Sequence, residues 1–157
     1  MTQSLNQFAQ STEKGILDLA LNPNIISCRI DPDSVASFVA GTAVKLTDAA
    51  GKVLLVEKAT IGENIFGFVV YSIKKSVPVA GDFIEVAISG SVMQMEASEA
   101  IARGINVEIV SASDKIAPAD TVAATIVGKA LDKAAADGDL IRVIISTGIN
   151  TQEVVPA

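Results

Sequence analysis

Few residues of this 157-residue chain have the type and spacing to do chemistry. There is no His, which excludes imidazole triads, His–Cys pairs, His metal sites and His proton shuttles together. The single thiol, Cys28, lies in a strand-like run beside Arg29. A neighbouring Arg would lower its pKa and make it a nucleophile, whereas burial makes it a small inert apolar group; burial is the stronger reading. One Cys makes no internal disulfide and no metal cluster. The carboxylates cluster in turn-like settings, at Asp31 and Asp33, Asp82, and Asp137 and Asp139, where Asp satisfies backbone donors. These runs are too short for a calcium loop, with its alternating oxygen ligands and closing Glu. No Gly-rich phosphate loop occurs. The expectation is therefore no catalytic residue, no cofactor, no metal, and a protein that is not an enzyme.

Two smaller motifs remain. Lys74-Lys75 is the only basic doublet, ahead of Ser76-Val77-Pro78. It reads as a solvated hairpin tip or as a contact for an acidic partner surface. Met93-Gln94-Met95 resembles the Met-Lys-Met turn of biotinyl and lipoyl carrier domains, but Gln94 cannot form their amide link. The two Met residues are expected to fill a core or an interface.

The elements behind these residues are short and β-like. The chain has a mass of 16.2 kDa, is half apolar and only 19% charged, and has 4% aromatics, so its core must be Val, Ile, Leu and Ala. Strands are expected at Ile25 to Ile30, Val44 to Leu46, Val53 to Glu57, Ile65 to Ser72, Phe83 to Ser89, Val107 to Val110, Thr125 to Ala130 and Ile141 to Ser146. One short helix is expected over Ser98 to Arg103, with Gly104 as its cap.

The chain also matches itself. Gly41-Thr42-Ala43-Val44-Lys45-Leu46 parallels Gly104-Ile105-Asn106-Val107-Glu108-Ile109, and Ile65-Phe66-Gly67 parallels Ile126-Val127-Gly128. The Gly81-Asp82 and Gly138-Asp139 strands close the two copies. Gly67 to Gly81 is 14 positions and Gly128 to Gly138 is 10, a difference that falls in a presumed loop. Gly67 and Gly128, inside strands, mark a bulge or a close backbone crossing. The fold class is mainly β: a small β-barrel or sandwich from two degenerate β-repeats, one short helix and an extended N-terminal arm. The division is 1–40, arm and first strand; 41–147, barrel domain with repeats 41–89 and 104–146; and 148–157, tail.

The first residues are polar, with Leu5 and Phe8 as isolated anchors, followed by an apolar patch that includes Ile16, Leu17 and Leu19 and ends at Asn22-Pro23-Asn24. This segment reads as an arm that orders on a neighbour or as a short helix packed on its own domain. As an arm, it assigns Leu5, Phe8, Ile16, Leu17 and Leu19 to partner docking. The net charge of −6 and pI of about 4.6 disfavour nucleic acid and anionic membrane as partners. A mean hydropathy of +0.47 leaves apolar surface for an interface, so a homo-oligomer or docked subunit is expected. Met1 to Gln10 carries no targeting pattern, which points to a soluble chain made in the cytoplasm.

Ile126-Val127-Gly128-Lys129-Ala130-Leu131, followed by Ala134-Ala135-Ala136-Asp137-Gly138-Asp139-Leu140-Ile141-Arg142-Val143, resembles the small capsid cement (decoration) proteins of tailed bacteriophages. Ser89-Gly90 and Ala100-Ile101-Ala102-Arg103-Gly104 fit the same style, and the resemblance spans roughly residues 40 to 146. It implies a barrel-like subunit on the outer capsid surface of a virion. Such a subunit sits at local threefold or quasi-threefold positions, clamps neighbouring copies of the major capsid protein and carries no catalytic residue. A trimer is the favoured oligomer. A tail, baseplate or fibre-associated subunit is the alternative.

Overall fold

The computed structural model describes residues 14–18, 23–110, 114–119 and 126–147. Ten strands and no helix occur among them. The strands are β1 (Ile25–Ile30), β2 (Ala43–Leu46), β3 (Leu55–Lys58), β4 (Gly67–Val69), β5 (Phe83–Ala87), β6 (Val92–Glu96), β7 (Asn106–Ile109), β8 (Ile116–Pro118), β9 (Ile126–Ala130) and β10 (Leu140–Ile145). The first five close into a barrel in the order β1-β3-β2-β4-β5, and the last five form a sheet in the order β6-β10-β9-β7-β8. The chain is thus mainly β, with one five-stranded unit per half.

The two units share one hydrogen-bond frame. Ile30 N donates to Asp82 O and Gly81 N to Ile30 O, at 2.8 and 3.0 Å; Ala97 N donates to Asp139 O and Gly138 N to Ala97 O, both at 2.8 Å. Gly41 N donates to Val69 O just as Gly104 N donates to Ala130 O, each at 2.8 Å. Gly41 and Gly104 have φ of +83° and +85°, and Gly81 and Gly138 have +84° and +89°. A side chain at any of these turns would be strained. Gly67 and Gly128 serve a different need. A Cβ at Gly67 would strike the Ala87 carbonyl and sit 2.6 Å from Val86 Cγ1; one at Gly128 would strike the Ile144 carbonyl and sit 2.8 Å from Val143 Cγ1. Both glycines let β4 and β9 cross their partner strands closely, and next to Gly128 the β7–β9 register also shifts at Val107/Glu108.

The repeat is longer than its sequence signature. β6 stands to β10 as β1 stands to β5, both antiparallel. Val-Met-Gln-Met-Glu lacks the β-branched run that marks the other strands, which hid β6 from the pattern, and β8 is only three residues long. The helix expected over Ser98 to Arg103 is instead bends and bridges: Ala97 pairs with Ile116 in parallel and Ile101 pairs with Ala134. Six residues close too few helical bonds to outweigh these sheet contacts.

Two buried clusters follow from the layout. One fills the first barrel, with Cys28, Ile30, Phe38, Val44, Val56, Val69, Ile84 and Val86. The other fills the second unit and runs into the first, joining Ala43, Ile65, Phe68 and Ala87 to Met93, Met95, Val107, Ile109, Val127, Ile141 and Val143. Phe68, fully buried, belongs to this shared core.

Candidate interaction surfaces

The residues whose types could do chemistry lie in structural settings. Cys28 has no exposed surface and burial pushes its thiol pKa up, so it is a poor nucleophile near neutral pH. Asp31 Oδ1 caps its own turn by accepting from Asp33 N at 2.9 Å. Asp82 Oδ2 accepts from Val79 N at 2.8 Å, and Asp139 Oδ2 from Ala135 N and Ala136 N at 2.7 and 3.1 Å, so the two Gly-Asp turns share their chemistry. Among the described residues no three His, Cys, Asp or Glu gather as a metal site. Met93 and Met95 are buried core residues of β6, and Gln94 between them is 5% exposed, in a strand and not at a presented turn.

Residues 14–18 lie along the outer edge of β6 in the same chain. Gly15 N donates to Gln94 O at 2.6 Å, Gln94 N to Ile16 O at 2.8 Å and Asp18 N to Val92 O at 2.8 Å. Leu17 pairs antiparallel with Met93 and is buried; Ile16 is half-buried. Of the five residues assigned to a docking arm, these two therefore rest on the chain's own sheet, while Leu5, Phe8 and Leu19 fall outside the described residues. Charge fixes the start of this strip. Lys14 Nζ reaches Glu96 Oε2 at 3.4 Å and Asp114 Oδ2 at 3.1 Å, and Lys115 Nζ reaches Glu96 Oε1 at 2.9 Å and Asp137 Oδ1 at 2.8 Å. The hydrogen bonds to Asp137 and then Glu96 push the Lys115 pKa up, and Lys115 holds the Asp137 carboxyl below its usual value.

The other feature is a cleft of about 620 Å³ on the first barrel, where residues 71–78 arch over the outer faces of β1 and β5. Ile73 is 91% exposed and Phe83 67% exposed at its rim, and Val77 and Val79 are also exposed. The Arg29 guanidinium lies 5.9 Å from the Phe83 ring centre, within cation–π range, and donates through Nε to Gly81 O at 2.9 Å. The Lys74-Lys75 doublet is on this loop and exposed. Lys75 pairs with Asp82 at 2.6 Å, while Lys74 forms no ion pair among the described residues. The sequence marked the doublet but not Phe83, since an aromatic in an apolar strand reads as core.

No family model and no curated protein matches the chain. Among solved structures it is similar to the head fiber gp8.5 N base in bacteriophage phi29, with a TM-score of 0.55 and 16% sequence identity over 79% of this chain and 94% of that one. At that identity the two chains share a fold.

Proposed function

We propose that this protein is a non-enzymatic structural subunit of a phage virion: a decoration protein on the outer surface of the head that stabilises the shell by clamping neighbouring capsid subunits. The observation that carries the reading is the fold, shared along nearly the whole length of a base domain described as part of a phage head fiber. The sequence resemblance to cement proteins supports the same role from a different direction. The partner is then the major capsid protein, and the segment ahead of Lys14, with Leu5 and Phe8, is the docking arm. Arms that order on binding cover a large surface at an entropic cost.

A second reading, the base of a fibre on the head, is favoured by the nature of that structural neighbour. Copy number separates the two. Gradient-purified particles should contain the chain at a large fixed fraction of the shell protein if it decorates the head. A handful of copies per particle would instead indicate a fibre base or a tail part, and absence from particles would end both readings.

A further inference from the structure

The cleft on the first barrel lies where the described residues begin. Lys14 and Gly15 form a turn, and Gly15 sits between the two units. Its N–H donates to Gln94 O at 2.6 Å, and its carbonyl accepts from Tyr71 N at 3.0 Å. A Cβ at Gly15 would stand 2.6 Å from Ala40 Cβ. Tyr71 and Ala40 both line the cleft. With φ of +77° and no room for a side chain, the turn beside the cleft needs glycine. The other end of the described chain lies elsewhere: Thr147 Oγ1 donates to Phe66 O at 3.2 Å, and Phe66 precedes β4 while Tyr71 follows it. Of the two ends, only the leading one opens at the cleft.

We propose that the 13 residues ahead of Lys14 seat in this cleft of their own chain, with Leu5 and Phe8 against the apolar rim of Ile73 and Phe83. Three observations favour this occupant. The first is the point of entry, since a segment that starts at the cleft edge and spans up to roughly 45 Å when extended reaches every part of it. The second is chemistry. Lys74 and Glu85, both exposed at the cleft, balance one another in charge, so the site does not select a charged partner. Residues 2–12 carry no charge and are mostly Gln, Ser, Thr and Asn, with Leu5 and Phe8 the only large apolar side chains. The third is the tether. A segment held in the same chain binds at the high effective concentration of a short link, so even a weak, mixed polar cleft is filled. If the segment also docks on the capsid, a role that rests on the virion reading above, the seat stows it on the free subunit until docking draws it out.

Chymotrypsin cleavage after Phe8, followed by mass spectrometry on the purified full chain, tests this. Cleavage should be about fivefold or more slower than in a synthetic peptide of residues 1–13, because the protease sees only the open population. The protection should not change on dilution. Ile73→Asp and Phe83→Ser alter exposed positions and should each bring the rate back to within about twofold of the peptide. Tyr71, the only Tyr in a chain without Trp, gives a second readout at the cleft itself. Its fluorescence should be about twofold more open to acrylamide quenching when Leu5→Ser and Phe8→Ser are combined in the full chain. A full chain cut as fast as the peptide overturns the proposal. So does protection indifferent to both rim variants, which would seat the segment on another surface, or protection that falls on dilution, which would make the occupant a second copy's segment. All of these outcomes are read on the free chain, so the virion reading is still decided separately by particle stoichiometry.

Discussion

The two units share turns, crossings and hydrogen bonds yet differ at their edges. In the first, β1 and β3 join in parallel through Arg29↔Leu55 and Ile30↔Val56, and the barrel closes. In the second, the corresponding ends pair, among the described residues, at the single bridge Ala97↔Ile116, and the rest of the β6 edge is taken by residues 14–18. The first unit is sealed by its own strands and is free to grow a long exposed loop. The second is sealed by a borrowed strip and keeps its loop short. A frame used twice can thus divide its work, with one copy presenting surface and the other holding the chain's leading segment.

This comparison is sharpest in the cores. Phe38 lies wholly within the first barrel's cluster, while Phe68 sits in the cluster shared by both units. Phe68→Ala and Phe38→Ala should each cost about 3–5 kcal/mol, the usual range for a buried Phe. Their patterns should differ. Phe68→Ala should lower stability as one cooperative transition, whereas Phe38→Ala should loosen the first barrel selectively. Alkylation of the buried Cys28 under native conditions reads this out: its thiol should become reactive far sooner in Phe38→Ala than in Phe68→Ala at matched stability. Equal rates would mean that the two clusters open as one.

The crossing glycines come next. Gly67→Ala and Gly128→Ala meet backbone carbonyls in the same way, so each should cost about 2–3 kcal/mol from overpacking, measured by denaturant unfolding. A large effect at one and none at the other would show that the repeat is not energetically equivalent. These positions were legible in the sequence because only Gly tolerates such a crossing, and the Gly-Asp turns were legible for the same conformational reason. Strands built on Val and Ile were legible too. β6 was not, since its Met residues have no strand preference strong enough to show, and its burial depends on residues 14–18, which are far away in sequence. The cleft was half legible: a Lys doublet marks solvent, but whether Phe83 faces the core or water is set by strand register, a tertiary fact.

The borrowed strip predicts a split between two truncations. Removing residues 1–13 should leave the melting temperature close to that of the full chain, because Leu17 and the three backbone bonds that Gly15, Ile16 and Asp18 make to β6 remain. Removing residues 1–18 should expose Met93 and a bare strand edge, and light scattering on warming should show aggregation that the shorter truncation does not. Leu17→Ala in the full chain isolates the side chain and should cost about 2 kcal/mol or somewhat more.

The smallest effect expected is from acid, and it should fall on both units alike. In the first, the Lys45 hydrogen bond holds the Glu63 carboxyl below its usual value, and Lys75 does the same for Asp82. In the second, Arg142 lowers Asp132 and Lys115 lowers Asp137. Each carboxyl binds its proton less readily when folded than when unfolded. The stability these pairs add is therefore complete above the ordinary carboxylate range and is lost as pH falls through it toward the depressed folded values. The pairs lie at the surface, where salt screens them, so the melting temperature should drop only gently between neutral pH and about pH 3.5, and less still in high salt. With no His to protonate, the profile should stay flat from about pH 8 to about pH 6. Removing one pair per unit, by Arg142→Met and by Lys45→Met, should reduce the acid slope by similar amounts. If Arg142→Met alone flattened it, the acid sensitivity would belong to the second unit, and the shared frame would not extend to its electrostatics.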